Sequence, residues 1–108
     1  MTSGQLKEYC DAEFENIQAV LDELFAVVRP GKAHYSVAEM AAVATFLHNV
    51  YNGIENVLKR ILSSRKVKLQ NVPTWHRDLL KAAADLGILS SELHDTLLSY
   101  LSFRHFFV

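Results

Sequence analysis

The feature that most constrains this chain is the spacing of its apolar residues near the N-terminus. From Gln5 to Val28, Leu6, Cys10, Phe14, Ile17, Leu21, Leu24 and Val28 step by four, four, three, four, three and four. Only a helix places such positions on one stripe, so the spacing predicts a first helix over Gln5–Val28 with that stripe buried. Lys7, Glu8, Asp11, Glu13, Glu15, Asp22 and Glu23 fill the other positions and give an acidic outer surface. Arg29, Pro30, Gly31 and Lys32 end the helix, because Pro30 has no amide hydrogen and Gly31 turns readily with positive φ.

Ser36 followed by Glu39 has the S-x-x-E form of a capping box and starts a second helix. Val37, Met40, Val43, Ala44, Leu47, Val50, Tyr51, Ile54, Val57, Leu58, Ile61 and Leu62 keep one of its faces apolar. Gly53 inside that run costs roughly 1 kcal/mol against Ala, which is consistent with a close helix crossing. From Ser63 to Pro73 the pattern breaks into a loop carrying the basic cluster Arg65, Lys66 and Lys68. Thr74 stands as N-cap of a short third helix through Trp75, Leu79, Leu80, Ala83 and Leu86, stopped by Gly87. Ser90 or Ser91 caps the last helix, with Leu93, Leu97, Leu98, Tyr100, Leu101, Phe103 and then Phe106, Phe107 and Val108. No strand alternation or internal repeat is present. The expected fold is therefore all-α, an antiparallel bundle of four main helices in one domain over residues 1–108, its last helix cut short.

Composition narrows function by exclusion. A net charge of −1 over 108 residues offers no global basic field, so contact with nucleic acid has to come from a local patch. The single Cys10 has no partner for an internal disulfide, and no signal-type leader is present, which fits a soluble, cytoplasmic protein. No run approaches the roughly 18 to 20 apolar residues of a membrane span. His34, His48, His76, His94 and His105 are scattered without the spacing of metal ligands, so no metal or other cofactor is expected. Phosphate-cradling Gly loops, nucleophile elbows and C-x-x-C pairs are absent from the sequence.

Three polar groups stand out against this apolar background. Trp75-His76-Arg77-Asp78 is a dense polar and aromatic cluster of a kind that sometimes binds ligands, but capping chemistry accounts for most of it, and it reads better as a tryptophan packing into the core while Asp78 stabilises a helix start. Glu55 and Asn56 lie beside Ile54 and Val57, either solvated or facing a cleft where they orient another side chain. Arg104 lies between Phe103 and Phe106, where a permanent charge must snorkel outward, pair or serve a function.

The segments FLHNVYNGIENVLKRI (Phe46 to Ile61), WHRDLL (Trp75 to Leu80) and YLSFRHFFV (Tyr100 to Val108), in this order and at these separations, resemble the HepT-like branch of the HEPN superfamily. The resemblance covers most of the chain from the second helix onward. It implies an all-α HEPN fold and a homodimer. It also implies a metal-independent endoribonuclease that acts as a toxin beside a minimal nucleotidyltransferase antitoxin, with RNA and not DNA as substrate. The family's R-x4-6-H motif maps its Arg onto Arg104, and Glu55, with Asn56 beside it, matches a polar position near the cleft. The motif His is expected at or shortly after the residue following Val108, which suggests a chain cut just before its catalytic base. His105 does not fit that spacing, because adjacent helical residues point about 100° apart. Removal of a general acid–base group typically costs on the order of 10² to 10⁴ in rate, so the 108-residue chain itself is expected to cleave RNA poorly. The alternatives are a non-catalytic interaction module that binds a nucleotidyltransferase, and a purely structural helical dimer.

Overall fold

A computed structural model describes residues 2–104 of the chain. Four helices follow one another: α1 (Ser3–Val27), α2 (Val37–Ser64), α3 (Trp75–Asp85) and α4 (Ser91–Phe103). There is no strand among the described residues, so the chain is all-α. His105 and the apolar run Phe106, Phe107 and Val108 lie outside the described residues. Contacts divide the chain into two compact units, Thr2–Asn56 and Val57–Val108, with the boundary inside α2.

In the first unit, α1 begins two residues earlier than its apolar spacing predicts. The reason is a capping box: the Gln5 amide donates to Thr2 Oγ1 at 3.1 Å, and the Thr2 amide donates to Gln5 Oε1 at 2.8 Å. Cys10 and Leu24 are buried and Leu6, Ile17 and Leu21 half-buried, but Phe14 is 54% exposed. At 100° per residue Phe14 sits about 80° from Leu6 and Leu24, at the edge of the stripe. Val28, the C-cap, lies past the last helical residue and is also exposed. Gly31 adopts φ +82° in the turn that follows, where an L side chain would be strained.

The capping box expected at the start of α2 is present. Glu39 donates its amide to Ser36 Oγ at 3.0 Å, and its carboxylate accepts the Ser36 amide at 2.9 Å. Lys32 pairs with the same carboxylate and lies 4.9 Å from the centre of the Tyr35 ring, tying the connecting turn to the helix start. Val37 (85% exposed) and Met40 (60%) depart from the expected buried face. Further along, Tyr51, Gly53 and Glu55 are buried. A Cβ built on Gly53 would stand 2.6 Å from Ile17 Cγ1, so the glycine does mark a close crossing, here of α1 over α2.

In the second unit, α2 runs on through Ser63 and Ser64, and the Ser64 hydroxyl donates to the Ile61 carbonyl at 2.6 Å. The helix closes with Lys66 donating its amide to Ser63 and Val67 donating to Leu62, the hydrogen-bond pattern of a Schellman motif. Lys66 holds φ +60°, the conformation that glycine usually supplies there. Gly87 does supply it after α3, with φ +74° and the Ile88 amide reaching back to the Ala83 carbonyl. Ser90 rather than Ser91 caps α4, accepting from the Leu93 amide at 3.1 Å. Thr74 occupies the N-cap position of α3 but does not cap it, because its hydroxyl donates to Asp78 Oδ2 at 3.2 Å.

Val57, Leu58, Leu62, Leu79, Leu80, Ala83, Leu89, Leu97 and Leu101 form the core of this unit, and α3 packs against α4. Leu79 and Leu80 are both fully buried although neighbours in a helix diverge by about 100°, so α3 is covered over a broad arc. Each such leucine contributes about 1.5–3 kcal/mol relative to exposure. Packing this dense holds the start of α3 and the end of α4 in fixed positions.

Candidate functional site

Pro73 prevents the preceding loop from continuing as helix, and α3 starts two residues later, so Thr74, His76 and Arg77 fall at its first turn. Arg104 is the C-cap of α4, its backbone still right-handed helical and its amide donating to the Tyr100 carbonyl. Pro73, Thr74, His76 and Arg77 meet Leu101 and Arg104 around a cavity of about 350 Å³. Arg104 and His76 are half-buried and Arg77 exposed. Two guanidinium groups and an imidazole from different helices thus line one opening, with a hydroxyl beside them and an apolar wall formed by Pro73 and Leu101.

Neighbouring side chains define the rim. The Trp75 ring is stacked on His76, with centroids 3.6 Å apart and planes tilted by 30°, and the Lys59 ammonium lies 5.0 Å from the Trp75 ring centre. Trp75 is half-buried beside these polar partners rather than sunk in the core as the sequence suggests. Burial pushes the Tyr100 phenol above its ordinary pKa and the nearby Arg104 cation only partly opposes this, so the phenol keeps its proton at neutral pH.

Of the other residues singled out from sequence, Glu55 belongs to the first unit. It is 3% exposed, which removes the solvated alternative, and its Oε2 accepts a 2.7 Å hydrogen bond from the Tyr51 hydroxyl. Asn56 is half-buried and lines a cavity of about 210 Å³ with Asn16, Asn49, Asn52 and Gly53 among its walls. His48 meets Asn52 at 3.1 Å, and His94 meets Asp95 at the same distance. Among the described residues, no group of three or more His, Cys, Asp or Glu side chains could hold a metal ion. Nor is any helix among them long and apolar enough to cross a membrane.

Sequence reasoning found Arg104 but treated His76 and Arg77 as part of a helix start. One available signal was the distribution of charge. Residues 57–108 carry eight Lys and Arg against four Asp and Glu, whereas residues 2–56 carry three against eight, a split that the overall charge of −1 conceals. The cavity with two arginines lies in the basic half.

The geometry defines an all-α protein with a cationic cavity between the start of one short helix and the end of the next. A family model described as HepT-like protein matches residues 42–108, which include both helices and Arg104. The chain belongs to this HepT-like family, as the three sequence segments led us to expect. No curated protein and no solved structure matched the chain.

Proposed function

We propose that this protein is a metal-independent endoribonuclease of the HepT-like type, acting as the toxin of a pair with a minimal nucleotidyltransferase antitoxin. The observation that carries the reading is the place of Arg104: half-buried at the end of α4, in the basic half of the chain, on a cavity it shares with Arg77 and His76. In RNA cleavage the 2′-oxygen bonds to phosphorus as the bond to the 5′-oxygen breaks. The 2′-hydroxyl gives up its proton, the leaving oxygen gains one, and negative charge builds on the non-bridging oxygens. A guanidinium remains charged throughout and offers a fork of donors to those oxygens, while an imidazole moves protons near neutral pH. Arg104 takes the first role. The second role belongs to the histidine of the family's R-x4-6-H motif, which residues 1–108 do not include, and a homodimer would bring two such pairs to one cleft. Glu55, with Asn56 as its polar neighbour, matches the family's polar position near the cleft, and within its own unit its carboxylate accepts the Tyr51 hydroxyl.

A second reading, a non-catalytic module that binds the nucleotidyltransferase, draws on the exposed apolar side chains of the first unit, Phe14, Phe25, Val37 and Met40. Such side chains suit burial against a partner, whether a second copy or another protein. The two readings separate in one assay. Protein expressed from its whole reading frame is incubated in EDTA with a labelled single-stranded RNA and with the same sequence made of 2′-deoxy sugars. The nuclease reading predicts that the RNA is cut and the deoxy strand stays intact. An RNA that remains whole, together with a stable complex with the nucleotidyltransferase, contradicts it in favour of the module.

A further inference from the structure

We propose that the cavity between α3 and α4 is a binding subsite for the RNA backbone, in which Arg77 grips a phosphate next to the one held by Arg104. The proposal rests on the nuclease reading for the identity of the strand, but its chemistry comes from the cavity walls. Two arginines from different helices and a histidine line the opening, and among the described residues that line it none is a carboxylate. Neighbouring phosphates of one strand, each beside a guanidinium, are attracted by both positive charges. Arginine's planar fork matches phosphate oxygens in a bidentate manner, with a preference for phosphate over a point anion that lysine lacks. Leu101 and Pro73 add an apolar wall against which a ribose can lie, and the Thr74 hydroxyl oxygen, its proton given to Asp78, can accept from a sugar hydroxyl. About 350 Å³ sits at the lower end of the roughly 300–1,000 Å³ typical of ligand cavities. That space suits a sugar and its phosphate better than a whole folded ligand.

The position of Arg77 favours this role. It is exposed, so its head reaches an incoming strand without first being dug out of the core, and Leu79 and Leu80, two and three residues on, are fully buried and hold the turn in place. The adjacent acid, Asp78, is engaged by the Thr74 hydroxyl and does not line the cavity.

The test measures binding without cleavage. A fluorescein-labelled single-stranded RNA with 2′-O-methyl sugars, which cannot be cut by 2′-attack, is titrated with full-length protein by fluorescence anisotropy over a series of salt concentrations. Arg77→Gln is compared with wild type, with Arg77→Lys and with Lys81→Gln. Lys81 lies on α3, already paired with Asp85 at 3.5 Å and outside the cavity. Arg77→Gln is expected to weaken binding about tenfold whatever the base sequence and to make the log–log salt slope shallower by about 0.7, the share of one phosphate contact on a single strand. Arg77→Lys should keep the slope but lose part of the affinity, and Lys81→Gln should bind as wild type does. An Arg77→Gln variant with unaltered melting temperature and wild-type binding overturns the proposal. Equal losses in Arg77→Gln and Lys81→Gln also overturn it, as does a wild-type protein that binds no strand. Cleavage of ordinary RNA in parallel separates the two ideas: cleavage with Arg77-independent binding leaves the nuclease and removes the subsite, while Arg77-dependent binding without cleavage does the reverse.

Discussion

Single residues in this chain are set by the partners the fold gives them. Glu39 is the clearest case. The Lys32 ammonium first, and then the Ser36 backbone amide, lower its carboxyl from 4.5 to about 2. Because the folded value lies below the unfolded one, this contribution is fully present above about pH 4.5 and is lost as pH falls through about 2. Glu39→Gln should therefore flatten the decline of melting temperature between these two pH values, with its loss relative to wild type fully present at neutral pH, modest because the half-buried pair is still screened by solvent, and absent below about pH 2. Parallel wild-type and variant curves across the acid range would show that the pairing does not operate in solution. Glu55 illustrates the opposite environment, a carboxylate 3% exposed that receives the Tyr51 hydroxyl, and no spacing rule could distinguish it from a solvated glutamate on the same helix.

At the scale of elements, close approach and chain reversal depend on a few backbone positions. Gly53 lets α1 and α2 cross, and a methyl group there meets Ile17 Cγ1 at 2.6 Å, next to a β-branched carbon with little freedom to move. Alanine is the better helix former by about 1 kcal/mol, but overpacking costs about 1–3 kcal/mol, so Gly53→Ala should be net destabilising in urea unfolding. Adding Ile17→Ala should recover much of the overpacking loss, giving a double variant more stable than the sum of the single changes. Strict additivity would mean that the two side chains do not meet. The Thr2–Gln5 box was passed over and Thr74 does not cap α3, whereas the starts of α2 and α4 were legible because capping chemistry is local, as Ser36–Glu39 and Ser90 show. The end of α2 was not, because Lys66 takes a left-handed conformation for which sequence offers no glycine as a marker.

For the whole molecule, the all-α class and the four described helices could be read from apolar period and caps, and the family from three ordered segments that all fall within residues 42–108. Arg104 was legible as a charge in an apolar context. Its cavity was not, since His76 and Arg77 lie more than 25 residues before it and join it only when α3 packs on α4. Periodicity reports which face of a helix is apolar, not which polar residues from two helices share one opening. The uneven charge of the two halves carried that information in diluted form. The central claim is that Arg104 stabilises the charge that develops on an RNA phosphodiester. The most direct test is the single-turnover rate of RNA cleavage in EDTA by the protein from its whole reading frame, with wild type beside Arg104→Gln and Arg104→Lys. The account predicts that Arg104→Gln, with an unchanged helical circular dichroism spectrum, loses on the order of 10² to 10³ in rate and that Arg104→Lys restores part of it. Cleavage by Arg104→Gln at the wild-type rate would contradict it.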